Sequence, residues 1–341
     1  AGSFSAERRE LALQSFDFIW NTVREKHWDP DLRGLNWEAV RDSLRPRVEA
    51  AASLDEARGA MRALLGTLGQ SHFGVIPRAT YDDLAGGAGG AGRGEGAPGV
   101  DLRALDGRAI AVAVAADAPA AALGVAPGWE LLRAGEEELP PLLASLGEQL
   151  AGQIDLDFRL AMAVRARLGG APGDTVATRW RDGAGREVDL RLPLAVPKGS
   201  RAVLGGLPPF YVDLSWRRLP AGPGYVALNV FFDPVSVMPA FGRAMTELRD
   251  APGLILDLRG NPGGIGNMAL GMAGWLVAER GRSLGVMSTR GSQMNFAVIP
   301  RAVTYDGPVA VLVDGLSGST AEILAGGLQS LGRAKVFGTR T

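Results

Sequence analysis

The stretch "VAVLVDGLSGSTAEILAGGLQSLGRAKVFG", residues 309–338, decides the fold. It runs from an apolar strand through a turn of small residues into a helical pattern, and then into a second short strand. Two strands joined through a helix make a βαβ crossover, which implies a largely parallel sheet with both faces covered. Ser319 stands at the first turn of that helix, between Gly318 and Thr320. One reading makes it an N-cap, a common position for serine. The other makes it a nucleophile, because the unpaired N–H groups of a helix start carry partial positive charge and can hold an oxyanion. An α/β-hydrolase elbow does not fit, since Gly-x-Ser-x-Gly matches around neither Ser317 nor Ser319.

The same alternation extends upstream to residue 205. "GYVALNVFF" reads as a strand, "SVMPAFGRAMTELRDA" as a helix and "GLILDLRG" as an apolar strand. "GIGNMALGMAGWLVAER" reads as a helix and "SLGVMSTRG" as a strand. Ligand sites in such α/β sheets lie at the carboxyl ends of strands, where both "DLRGNPGG" and "VDGLSGSTAE" fall. Asn261-Pro262-Gly263-Gly264 makes a tight turn whose glycines can aim N–H groups at a neighbouring site. Taken alone it is a turn; beside the Ser319 turn it suggests a shared pocket.

Residues 99–197 read as a compact unit of short strands and two helices, "PAAALG" and "FRLAMAVRARLG", with a hairpin turned at "RDGAGRE". Residues 1–83 read as helical. In "FSAERRELALQSFDFIWNTVREKHW", Leu11, Phe16, Phe18, Ile19 and Val23 are spaced as one apolar face. Pro30 ends that helix, and Ser53 with Glu56 suggests a capping box for a later one. Between these units, residues 84–98 are Gly-rich and read as a linker. Its Gly87-x-Gly89-x-x-Gly92 follows no strand and opens no helix, so it carries no dinucleotide meaning.

Of 341 residues, none is cysteine and two are histidine, which excludes thiol nucleophiles, disulfides and multi-histidine metal sites. The net charge of −1 supplies no field for nucleic acid, and no apolar run reaches the roughly 20 residues of a membrane span. A serine nucleophile needs a base, and two histidines compete for the role. His27 in "KHWDP" sits among charged and turn residues. His72 in "GQSHFGV" follows Ser71 and precedes Phe73 and Val75, a setting that suggests partial burial and a tunable imidazole.

"GLILDLRGNPGG" together with "VLVDGLSGSTAEILAGGLQSLGRAKVFGTRT" resembles the protease core of the carboxy-terminal processing protease and tricorn core protease superfamily. "PGVDLRALDGRAIAVAVAADAPAAALGVAPGWELLRAGEEEL" resembles its PDZ domain, and "FDFIWNTVREKHWDPDLRGLNWEAVRDSLRPRVEAA" with "LLGTLGQSHFGV" its N-terminal helical region. The resemblance implies an α/β core of crotonase/ClpP-like βαβ type over residues 205–341, behind a helical domain and a PDZ domain. It implies Ser319 as nucleophile, with the N–H of Thr320 and of Gly263 or Gly264 as oxyanion donors. The Ser71-His72 pair matches the tricorn-like branch, where such a histidine is the base. The processing branch instead uses a lysine in a segment beyond Thr341, and Lys335 is not at that position. The family core continues past Thr341, so the chain is expected to be a fragment.

The resemblance further implies protein or peptide substrates and a periplasmic or secreted location. It implies no metal or organic cofactor, and it allows a homo-oligomer. The loop around Ala97, Pro98, Gly99 and Val100 has the composition of a backbone nest for a peptide's terminal carboxylate. A catalytically silent peptide- or ligand-binding protein on the same fold is the alternative.

Overall fold

A computed structural model describes residues 4–75, 95–153, 155–203 and 209–341. Most of the Gly-rich tract, residues 84–94, lies outside the described residues. The chain divides into one unit of Ala1–Tyr81 with Val286–Asn295 and another of Asp82–Gly285 with Phe296–Thr341.

The first unit holds three helices, Ala6–Lys26, Trp37–Glu49 and Leu54–Gly66. Each begins at a polar cap: Ser5, Asn36 and Ser53 accept from the N–H three residues on. At Ser53 the Glu56 carboxylate reaches back to the Ala52 N–H rather than to that of Ser53. The apolar face of the first helix differs from the expected one. Ala12, Phe16, Trp20 and Val23 are buried, whereas Leu11 and Phe18 are 63% and 71% exposed. Spacings of four, four and three keep the buried set on one stripe, and Leu11 and Phe18 flank it. Trp20 fixes the register with Trp37: each indole N–H donates to the other's carbonyl, at 3.0 and 3.1 Å.

The second unit contains two main sheets. The first is antiparallel: β1 (Val100–Leu105), β2 (Arg108–Val114), β3 (Glu130–Ala134), β4 (Glu137–Glu138), β5 (Thr175–Arg181) and β6 (Glu187–Pro193). Its order is β1-β2-β3-β5-β6, with β4 on β3, so β1 is an edge strand. Gly96 and Ala97 bridge to Gly170 and Ala195, so the end of the Gly-rich tract is paired. Helix Leu139–Gln149 went unread in the sequence because Pro140 and Pro141 look like breakers. They occupy its first turn, where the missing N–H is no loss. Trp180, fully buried, anchors this core and donates to Thr178 Oγ1 at 2.9 Å.

Next come the paired strands β7 (Ser200–Ala202) and β8 (Phe210–Val212), then β9 (Leu214–Arg218), β10 (Gly224–Leu228) and β11 (Leu254–Asp257). The strands β12 (Ser283–Thr289) and β13 (Ser292–Ala297) form a separate two-stranded sheet, whose residues Val286–Asn295 belong to the first unit. β14 (Val309–Val313) and β15 (Lys335–Gly338) complete the second main sheet, ordered β15-β14-β11-β10-β9. Four of its strands are parallel, and β9 is antiparallel at one edge. Val226, Leu256 and Val311 form its buried row, covered by Phe241 of helix Pro234–Glu247 and by Leu324 and Leu328 of helix Thr320–Ser330.

Helix Gly266–Ala273 is half the length its sequence suggests. The carbonyls of Gly274 and Trp275 accept from Arg301 and Tyr305 instead of continuing the helical ladder. Because β11 and β14 are adjacent and parallel, the turns leaving their carboxyl ends, 258–264 and 314–319, lie side by side.

Candidate active site

Ser319 caps helix Thr320–Ser330, but not as an ordinary cap. Its backbone stands at φ 52° and ψ −114°, whereas the caps Ser5 and Ser53 are extended, at −66°, 158° and −144°, 161°. A non-glycine residue in that region costs about 1–3 kcal/mol and persists only where its surroundings enforce it. Nothing in capping requires this conformation. The Glu322 carboxylate holds the Ser319 N–H at 2.6 Å.

The enforcing surroundings are the 258–264 turn. Asn261 is fully buried and serves both turns. Its amide donates to the Leu228 carbonyl at 2.8 Å, its Oδ1 accepts the Gly263 N–H at 2.9 Å, and its backbone carbonyl accepts the Gly318 N–H at 3.0 Å. Thr320 Oγ1 donates to the Gly264 carbonyl at 2.8 Å. A Cβ on Gly263 would stand 2.7 Å from both the Gly318 carbonyl oxygen and Ser319 Cβ, and 2.8 Å from the Thr320 nitrogen. Gly263 at φ 101° therefore permits contact between the turns.

The two glycines thus have different parts. Gly263 has committed its N–H to Asn261. No described residue accepts from the N–H of Gly264 or of Thr320. Gly263→Ala is expected to push the Ser319 turn aside and lower peptide turnover by about 10²-fold. Gly326→Ala, with open space around it in the same helix, should leave turnover unchanged. Steady-state kinetics on both variants checks this.

Beside these turns, the Asp257 carboxylate is 7% exposed at the end of β11. Burial alone would raise its pKa, but Arg259 and the Tyr225 hydroxyl, both donating at 2.6 Å, together hold it below the ordinary 3.8. Burial first, and then the bond to Asp257, push the Tyr225 phenol from 10.0 up to about 12. The Asp257 contribution to stability is present above pH 3.8 and is lost as pH falls through the lowered folded value. The Tyr225 contribution is present below pH 10.0 and is lost as pH rises towards about 12. Urea unfolding from pH 9 to 12 should show that loss in the wild type, and Tyr225→Phe should remove this component of it.

Ser71 and His72 belong to the other unit, in the segment after helix Leu54–Gly66. Ser71 Oγ lies 2.8 Å from His72 Nδ1. The expected partial burial of His72 is corrected: the side chain is exposed, and its neighbours Phe73 and Val75 do the packing on the helical core. His72 also has a positive φ, 72°, one of six such described non-glycine residues, Ser319 being another. His27 is 5% exposed, with Nδ1 2.8 Å from the Asp29 carbonyl and Nε2 3.3 Å from Gln70 Oε1. Its ring stacks on Phe73. His27 therefore braces the segment that carries His72.

In the loop before β1, Gly99 has φ 74°, and a Cβ there would stand 2.2 Å from that of Ala118. The carbonyls of Pro98 and Gly99 accept from Ala120 and Ala115, which fixes the loop beside the start of β1 at Val100.

Residues 222–341 match the peptidase family S41, and residues 8–66 match the tricorn protease C1 domain. The two matched segments make the chain similar to the S41 peptidases and to the tricorn protease C1 domain. It is 28% identical to the chloroplastic carboxyl-terminal-processing peptidase 3 of Arabidopsis thaliana, over 94% of this chain and 59% of that protein. It is 26% identical to putative tricorn protease homolog 2 of Streptomyces coelicolor, over 96% of this chain and 26% of that protein. The chain thus spans less than two thirds of the length of the first relative and about a quarter of that of the second. Its fold is similar to that of the photosystem II D1 C-terminal processing protease, with a TM-score of 0.58 and 19% identity, covering 95% of this chain and 80% of that one. No helix among the described residues is long and apolar enough to cross a membrane.

Proposed function

We propose that the chain carries the catalytic centre of a serine endopeptidase acting on unfolded proteins or proteins with exposed C-termini. The observation that carries this reading is the Ser319 turn, whose backbone stands at φ 52° against the 258–264 turn and whose neighbouring Thr320 and Gly264 N–H groups have no acceptor among the described residues. Ser319 Oγ attacks the peptide carbonyl while His72 Nε2 takes its proton. Ser71, through Nδ1, orients the ring. The oxyanion is met by the N–H groups of Thr320 and Gly264, neither of which has an acceptor among the described residues. His72 then returns the proton to the leaving amine, and water releases the acyl group by the same steps in reverse order.

The antiparallel sheet domain resembles a PDZ domain and suits capture of a substrate tail. β1 is an edge strand able to accept an added peptide strand, and Pro98, Gly99 and Val100 lead into it. The domain limits 1–83, 84–98, 99–197 and 205–341, the crotonase/ClpP-like core type and the extracytoplasmic location are parts of this same reading.

Two peptides of one sequence, a free C-terminal acid and its amide, test it. The acid is expected to show about tenfold higher kcat/KM, the equivalent of a single well-made anion contact. Equal values would remove carboxylate capture. Binding of both without turnover would favour the silent binding protein.

A further inference from the structure

We infer that the pocket between the end of helix Pro234–Glu247 and the segment leading into β14 binds a small aromatic carboxylate. The cavity holds about 330 Å³ and is lined by Met245, Thr246, Arg249, Trp275, Val303 and Tyr305 among others. That volume lies in the range of small-molecule sites. Arg249 and Tyr305 come just before the amino ends of β11 and β14, whereas Ser319 follows the carboxyl end of β14. The site is therefore separate from the proposed nucleophile and does not depend on the peptidase reading.

Its lining is flat, apolar and largely aromatic. Met245 and Tyr305 are buried, Trp275 is half-buried, and Val303 is 66% exposed, so the cavity runs from the core to the surface. Gly242 makes room for the indole: a Cβ there would stand 3.1 Å from Trp275 Cζ2. The hydroxyls of the lining already donate within the protein. That of Tyr305 donates to the Ala251 carbonyl at 2.9 Å, that of Thr246 to the Gly242 carbonyl at 2.9 Å, and that of Thr304 to Asp306 at 3.3 Å.

The charges at this lining are all of one sign. Arg249 and Arg301 both line the cavity, and neither forms an ion pair among the described residues. The guanidinium of Arg301 lies 6.0 Å from the centre of the Trp275 ring. That of Arg333 lies 6.0 Å from the centre of the Tyr305 ring and donates to the carbonyls of Leu276, Tyr305 and Gly307, not to a carboxylate. The acidic residues nearby in the chain are engaged elsewhere. Glu247 accepts from the Trp216 indole at 2.7 Å, and Asp250 accepts from Arg218 at 2.5 Å.

An aromatic ring with one carboxylate answers both features. Ring faces and guanidinium planes stack on an aromatic body, and a guanidinium meets a carboxylate with two parallel hydrogen bonds. A neutral aromatic would leave the arginines without a counter-ion, and inorganic phosphate would leave the apolar lining bare.

Isothermal titration of the full chain with 2-naphthoate, and with its neutral isostere 2-naphthamide, tests the assignment. Naphthoate is expected to bind one-to-one and at least about tenfold more tightly than the amide, as one charge-assisted contact provides. Arg249→Gln/Arg301→Gln should weaken naphthoate about tenfold or more and leave the amide near its wild-type affinity. Val303→Glu, which adds a negative charge to the lining, should also weaken naphthoate more than the amide. All three positions are exposed, so the thermal midpoints should hold.

Naphthoate that fails to bind, or binds no more tightly than the amide, overturns the inference. Wild-type naphthoate affinity in both variants also overturns it, since the ligand would then sit elsewhere. None of these outcomes alters the peptidase reading, which Ser319 labelling tests separately.

Discussion

Ser319→Ala is expected to lower peptide hydrolysis by about 10⁴-fold or more, because removing a nucleophile leaves only the background of binding and oxyanion stabilisation. KM should change little, since the hydroxyl contributes chiefly in the transition state. Stability should not fall. The serine occupies a conformation that is unfavourable for any side chain, and alanine keeps the Cβ already accommodated against Gly263. If Ser319 were only a cap, its replacement would instead cost about 1 kcal/mol of stability and leave turnover intact. Kinetics and urea unfolding measured on one preparation separate these outcomes.

The second large effect is expected at His72. His72→Ala should reduce kcat by about 10³- to 10⁴-fold with little change in KM, as loss of a general base does. The residue is exposed, so the thermal midpoint should hold. Ser71→Ala should have a smaller effect on kcat, since Ser71 acts on Nδ1 and not on the substrate. His27→Ala is the informative contrast. It empties a buried site beneath Gln70 and Phe73 and should lower stability first.

The sequence made the architecture legible where physical rules are local. Alternation of apolar strands with helical patterns pointed to the parallel sheet, and the small-residue turns read at strand ends are those that β11 and β14 set side by side. Long-range constraints were hidden. Arg103 sits in "VDLRAL", where alternation puts Leu102 and Ala104 inside and the arginine outside. The alternation holds, but the face that Arg103 occupies is covered by Asp314 and Gly260, so all three are buried. The clue available was an arginine between two apolar neighbours, which usually means an exposed strand face.

The difference between Gly263 and Gly264 could not be read either, because it depends on Asn261 taking one N–H. Nor could the dihedrals of Ser319, which arise from a neighbouring turn more than fifty positions away in the sequence. The misplaced stripe on the first helix has a simpler origin. Hydrophobic size favoured Leu11 and Phe18, whereas geometry selected Ala12 and Trp20.

The central claim is that Ser319 is a nucleophile activated by His72, and covalent labelling tests it most directly. A serine-directed fluorophosphonate, followed by intact-mass measurement and peptide mapping, is predicted to give one adduct, on Ser319, formed at least about 10²-fold more slowly in His72→Ala. An adduct elsewhere, no adduct, or an unchanged rate without His72 would contradict the account.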